Sequence, residues 1–137
     1  MIPREVFLSH SAMDAGFART VVEMLHRHGV PTWYSALNIL PAEQWHDEIG
    51  AALKRCDWFL LVLSPHAVES MWVRRELFFA LRQTRFQNRI VPVLHLPCDP
   101  EELSWVLPGL QMVDFQKDFH SGCRALLRVW GLGYKPA

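Results

Sequence analysis

Trp58-Phe59-Leu60-Leu61-Val62-Leu63 is the longest unbroken apolar run in the chain, and it ends at Ser64-Pro65. Its residues do not alternate with polar ones, so both faces of the segment are apolar, as in an inner strand of a parallel sheet with helices on either side. The run falls far short of the ~20 apolar residues that a membrane-spanning helix requires.

Upstream, Val6-Phe7-Leu8 reads as a second buried strand that stops at the polar cluster Ser9-His10-Ser11. Asp14 then opens a helix with Phe17, Val21, Met24 and Leu25 at helical spacing, and Gly29 stops it. Val30 to Tyr34 reads as a strand in which Pro31 is acceptable only near the start or at an edge. Residues 35 to 44 show no period and read as a loop, after which Trp45, Ile49, Ala52 and Leu53 mark another helix. Downstream of the central run, a helix is expected from about Met71 to Arg85, with Leu77, Phe78 and Leu81 turned to the core. Ile90 to Leu94 reads as a strand, Pro97 to Pro108 as an irregular crossover, Gln111 to Phe115 as a weaker strand and Phe119 to Trp130 as a closing helix.

Strands alternating with helices predict an α/β fold: a flavodoxin-like open sheet of five parallel strands in the order 2-1-3-4-5, with helices on both faces. A length of 137 residues suits one domain over 1–137 with its core at about 5–131, and is equally compatible with a piece of a larger multidomain protein.

Fourteen Lys plus Arg balance fourteen Asp plus Glu, so the chain has no overall field to draw it onto nucleic-acid phosphates or anionic lipid. Cys56, Cys98 and Cys123 are odd in number, widely spaced and outside any CxxC pair, which argues against a disulfide framework and a zinc site. Among seven histidines no pair has HxxxH spacing, and His26 and His28 point to different sides of one helix, so no metal is expected. The first ten residues hold one basic side chain and no signal-peptide core, and the expectation is a soluble, cytoplasmic domain without direct nucleic-acid or membrane binding.

In such a sheet, ligands sit beyond the carboxyl ends of the strands where the strand order reverses. The residues expected there are Ser9, His10 and Ser11, the second-strand end with Trp33, Tyr34 and Ser35, the following loop with Leu40, then Ser64, and the start of the 71–85 helix. Several chemistries are excluded. A receiver domain needs an acceptor aspartate where this chain has Leu63-Ser64, and acidic residues where it has Ser9-His10. A dinucleotide-binding GxGxxG fails because no glycine occurs before Gly16, and a P-loop and a GxSxG elbow are also absent. Two readings stand for His10, a crevice residue or a turn residue. Two also stand for Glu76: a crevice carboxylate beside Trp72, four residues earlier on the same helix face, or a solvated side chain paired with Arg74, Arg75 or Arg82.

Four segments together resemble a known family. Val6-Phe7-Leu8-Ser9-His10-Ser11 with Asp14 is similar to the first conserved box of Toll/interleukin-1 receptor (TIR) domains, and Leu60 to Pro65 to their central strand. Ser70-Met71-Trp72-Val73-Arg74-Arg75-Glu76-Leu77 resembles the family's S-x-W-x-x-x-E-[LI] segment, and Ile90-Val91-Pro92-Val93 its fourth strand. The likeness runs from about Val6 to Trp130. It implies NAD+ glycohydrolase activity with Glu76 as the catalytic carboxylate, Trp72 beside the substrate, and a pocket loop at about Ser35 to Gln44 that also mediates assembly. NAD+ is then substrate and no cofactor is implied. The resemblance further implies other TIR domains as partners, in a homo-oligomer or filament, an attached sensor domain as trigger, and a place in immune or antiphage defence. The chain departs from the family at Ser35, where an acidic residue is frequent, at Pro41-Ala42, where Pro-Gly is frequent, and at Val73 in place of cysteine.

Nicotinamide leaves NAD+ as a neutral molecule, so the step needs no acid; what needs help is the positive charge that develops on the ribose. One ionised carboxylate near C1 or hydrogen-bonded to the ribose hydroxyls supplies that. Trp72, Trp33 and Tyr34 are stacking candidates that could equally be core aromatics, and Ser9, His10 and Ser11 are candidates for ribose or phosphate. Three rival outcomes follow: a non-catalytic adaptor working through TIR–TIR contacts, a nucleoside deoxyribosyltransferase-like enzyme, and cyclised or base-exchanged ADP-ribose as the product.

Overall fold

The computed structural model describes residues 2–35 and 46–137 in full and residues 42–45 as backbone only. Five strands, β1 (Val6–Ser9), β2 (Thr32–Tyr34), β3 (Trp58–Leu63), β4 (Ile90–Leu94) and β5 (Val113–Asp114), form one parallel sheet in the order β2-β1-β3-β4-β5. The helices are α1 (Ala15–Arg27), α2 (Ala42–Arg55), α3 (Pro65–Glu69), α4 (Met71–Leu81) and α5 (Phe119–Arg128).

Alternation along the strands sorts the core into two layers. Val6, Leu8, Leu60, Val62, Val91 and Val93 pack with α1 and α5, whereas Phe7, Phe59, Leu61 and Leu63 pack with residues of α2, α3 and α4. The run that decides the fold is thus split residue by residue between the layers, which is why it shows no polar position. Truncating one of these side chains, such as Leu61→Ala, removes contacts worth about 2–5 kcal/mol.

Local chemistry sets the element ends. Gly29, at φ +76°, follows α1 in the left-handed region; its N–H bonds His26 O at 3.1 Å, and Val30 N–H bonds Leu25 O at 2.9 Å. Val30 therefore closes the helix and the strand begins only at Thr32. Proline at 92 sits inside the sheet because β4 amides alternate sides. His95 N–H points to Leu63 O of β3 and Leu94 O accepts from Phe115 N–H beyond β5, so position 92 faces the β5 side before that strand has begun. The same proline limits β5 to two residues, shorter than the 111–115 expected. Gly122 lets α5 lie on the sheet: a Cβ there would stand 2.3 Å from the Phe115 ring.

The expected 71–85 helix ends early. Arg82 caps α4, a 3-10 turn follows at Thr84–Phe86, and the Arg85 guanidinium reaches back to the carbonyls of Leu53 and Cys56. Phe78, expected in the core, is 48% exposed because the buried stripe of α4 is Val73, Glu76, Leu77 and Ala80. The 97–108 crossover contains two further 3-10 turns, Pro100–Glu102 and Leu107–Gly109. All three cysteines are free, and burial pushes the Cys56 thiol up to about 12 and the Cys123 thiol up to about 11, so neither is a thiolate near neutral pH. Among the described residues, no helix is long and apolar enough to cross a membrane.

Candidate active site

Strand period and helix period converge on one pair. Ser9 lies two residues after Phe7 and faces the same layer as that ring, toward α4. Glu76 stands in the buried stripe of α4, at the spacing of its core residues Val73, Leu77 and Ala80. The Ser9 hydroxyl, 1% exposed, donates to Glu76 Oε1 at 2.6 Å, and Glu76 itself is only 7% exposed. Burial pushes its carboxyl from 4.5 up to about 7, against the opposing pull of the Ser9 hydrogen bond.

The arginine reading of Glu76 does not hold. Arg74 donates to the carbonyls of Leu103 (2.9 Å), Glu102 (3.1 Å) and Val68 (3.2 Å), which ties α4 to the crossover after β4. The Arg75 guanidinium lies over the Trp72 ring, 5.6 Å from its centre. Arg82 lines a cavity at the far end of α4. Among the described residues no ion pair involves Glu76.

Glu76 and Trp72 share the wall of a cavity of about 190 Å³ between α2 and α4, together with His46, Ile49, Leu53, Lys54, Arg75 and Phe79. Trp72 also lines a second cavity of about 310 Å³, which has His10, Ser11, Met13, His66 and Glu69 around it. The indole therefore stands between two hollows, one carrying the carboxylate and the other the residues that follow β1. His10 Nδ1 bonds Ser11 O at 2.8 Å and so carries the hydrogen, while the buried Nε2 has no hydrogen-bond partner among the described residues. Its ring lies 5.8 Å from that of Tyr34. Ser11 Oγ accepts from Met13 N–H at 3.2 Å and caps the 3-10 turn Ala12–Asp14.

The structure brings Ser9, Trp72 and Glu76 together, with His10 and Ser11 on the other side of the indole. It separates the β2 aromatics: Trp33 packs on Phe7 (5.1 Å between rings) in the α2–α4 layer, and Tyr34 joins the α1–α5 layer. Ser35 is half-buried just after β2, and Leu40 lies outside the described residues. Ser64, expected in the crevice, is instead fully buried. Its hydroxyl donates to Asp14 Oδ2 at 2.5 Å and accepts from Ala67 N–H at 3.0 Å, so capping α3 consumes it. Asp14 likewise gives no side-chain cap to α1; it accepts from Ser64. Sequence reasoning missed Lys54, Arg75 and His46, whose helix positions look like ordinary solvated ones, and missed α3, whose Ser-Pro start was a legible cap signal.

Strand order and crevice define an open α/β protein of flavodoxin-like topology whose ligand end carries a buried carboxylate beside an indole. The family profile described as "TIR domain" matches residues 6–127, and the chain belongs to that family. Over 118 residues it is 26% identical to the Stimulator of interferon genes protein of Magallana gigas, covering 84% of this chain and 28% of that protein. Over 94 residues it is 24% identical to the NAD(+) hydrolase TcpC of Escherichia coli O6:H1, covering 66% of this chain and 31% of that protein. The chain thus matches under a third of the length of these two curated relatives. The crystal structure of the TIR domain of the Toll-related receptor TRR-2 from Hydra magnipapillata superposes with a TM-score of 0.72 at 22% identity, covering 90% of this chain and 95% of that one.

Proposed function

We propose that the chain cleaves NAD+ at the nicotinamide–ribose bond, with Glu76 as the catalytic carboxylate. The observation that carries this reading is the placement of Glu76: buried, held by a serine instead of an arginine, and on a cavity wall next to Trp72. A carboxylate with that desolvation and no ion-pair partner among the described residues stabilises positive charge developing at ribose C1 far better than one in water. In the step, the C1–N bond breaks, its electron pair returns to the pyridinium nitrogen, and neutral nicotinamide leaves. Water then captures the ribosyl cation to give ADP-ribose, or an internal nucleophile of the same molecule captures it to give a cyclic product.

Trp72, with Arg75 over its ring, borders the space for the flat nicotinamide ring, and His10 and Ser11 line the hollow that takes the remainder of the dinucleotide. Each cavity alone is no larger than the low end of the ~300–1,000 Å³ typical of small-molecule sites, whereas the two flanking Trp72 together fall within that range. Tyr34, whose ring lies 5.8 Å from that of His10, and Ser35 just after it border this site. The relative named NAD(+) hydrolase supports the substrate. Assembly with other TIR copies, in cytoplasmic defence signalling and under control of an attached sensor, completes the reading.

Burial of Glu76 fixes a pH dependence. The reacting form is ionised, so kcat/KM rises with pH through about 7. The pyridinium charge of bound NAD+ favours the carboxylate, so the rise in kcat lies at lower pH. The test is nicotinamide release from NAD+ across protein concentration and pH. Release that grows with self-association and follows this profile is the expected result; no release from assembled protein leaves only an adaptor acting through TIR–TIR contacts.

A further inference from the structure

Among the described residues the Ser9 side chain hydrogen-bonds one functional group only, and its environment decides what it can do. The residue is 1% exposed, so it presents no surface to a dinucleotide in either cavity. Its hydroxyl donates to Glu76 Oε1 at 2.6 Å across 67 positions of sequence, from the end of a central strand to the middle of α4. Among the described residues, Glu76 takes no other hydrogen bond, and the candidates around it are engaged or turned elsewhere. On β1 and the turn after it, His10 Nδ1 serves Ser11 O. On α4, Arg74 serves three backbone carbonyls and Arg75 lies over Trp72. From α2, His46 and Lys54 line the same cavity without bonding the carboxyl.

Resting on the proposed NAD+ cleavage, we infer that Ser9 is a positioning residue for it: the hydroxyl holds Oε1 and fixes the rotation of the carboxylate, leaving Oε2 as the oxygen presented to the ribose. A strand-borne donor suits this work, because β1 lies between β2 and β3 and cannot shift without disturbing both pairings. The bond also favours the ionised form of Glu76, opposing the burial that pushes it up to about 7.

Ser9→Ala removes one oxygen and creates no clash. The pH dependence of kcat/KM for nicotinamide release, read beside a ¹³C NMR titration of the Glu76 carboxyl, tests the inference. Loss of one hydrogen bond to a charged group moves both midpoints up by about one pH unit, which lowers the rate at pH 7 about fivefold. Well above both midpoints KM for NAD+ stays within about twofold of wild type and any remaining loss falls in kcat, because Ser9 does not meet the substrate. Ser9→Cys, close in size and a weaker donor, falls between wild type and Ser9→Ala. A midpoint at or below the wild-type value in either variant overturns the assignment, as does a loss confined to KM. A wild type that releases no nicotinamide sinks the reaction and the positioning role together; an active wild type with an unmoved Ser9→Ala profile sinks the positioning role alone.

Discussion

Two serine–carboxylate pairs stand at the carboxyl end of this sheet, and they do different work. Ser64 donates to Asp14 at 2.5 Å and Ser9 donates to Glu76 at 2.6 Å; both carboxylates are buried, at 3% and 7% exposure. The first pair is closed. Ser64 also caps α3 through Ala67 N–H, and neither residue lines the two hollows that flank Trp72. The second pair is open, since Glu76 lines a hollow with apolar walls, an indole, His46 and two basic groups, Lys54 and Arg75, that form no ion pair among the described residues. The bond chemistry is the same, so the difference in role comes from space: a buried carboxylate with a neighbouring cavity can meet a ligand, and one without it can only join elements of the fold.

That contrast can be broken from the stability side first. Glu76 holds its proton in the folded state up to about 7, against 4.5 for an unstrained carboxyl. The folded state therefore binds more protons than the unfolded one across that window, and stability falls as pH rises through it. Glu76→Gln removes the ionisable group while its amide oxygen can still accept from Ser9. The variant should match wild type near pH 4.5 and exceed it above pH 7 by as much as about 3 kcal/mol, read as urea midpoints at each pH. A variant no more stable than wild type at alkaline pH would show that Glu76 is better solvated than its surroundings imply.

Next in size is the closed pair. Ser64→Ala strips Asp14 of its donor and α3 of its cap, and should cost about 1–3 kcal/mol in a denaturant titration. Nicotinamide release per folded molecule should stay within about twofold of wild type, and a larger loss would place Ser64 back in the substrate site. Smallest is Trp72→Phe, which keeps a ring and loses indole area; KM for NAD+ should rise about threefold with kcat changed less. An unchanged KM would mean that the indole only divides the two hollows.

Much of this was legible before any coordinates. The apolar run at 58–63, the Gly29 stop and the strand–helix alternation lead to the 2-1-3-4-5 sheet because each rests on local chemistry. Helical spacing puts Glu76 and Trp72 on one helix face but leaves Glu76 open between a crevice and an arginine pair, and its role as the carboxylate of the site comes from the resemblance. The orientation of α4 was not read correctly, since Leu77 and Phe78 are adjacent and differ by about 100° around the helix, so only one can lie at the centre of a buried stripe. Val73 and Ala80 at i−4 and i+3 from Leu77 favour the observed choice, and they also bury Glu76. Ser9 reads as a ribose or phosphate contact, but it is 1% exposed and bonded to Glu76, a tertiary partner that no local pattern contains. Ser64 was misread for the related reason that Ser-Pro after a strand is both a crevice position and a helix cap, and here the cap won.

The most direct test of the central claim is mass spectrometry of the products formed from NAD+ by wild type and by Glu76→Gln, at concentrations that favour assembly and with both proteins shown to be folded. Wild type should yield nicotinamide with ADP-ribose or its cyclic form, and the variant should lose at least about a hundredfold in rate, the usual cost of removing a preorganised charge partner. Equal turnover by the two proteins would contradict the account.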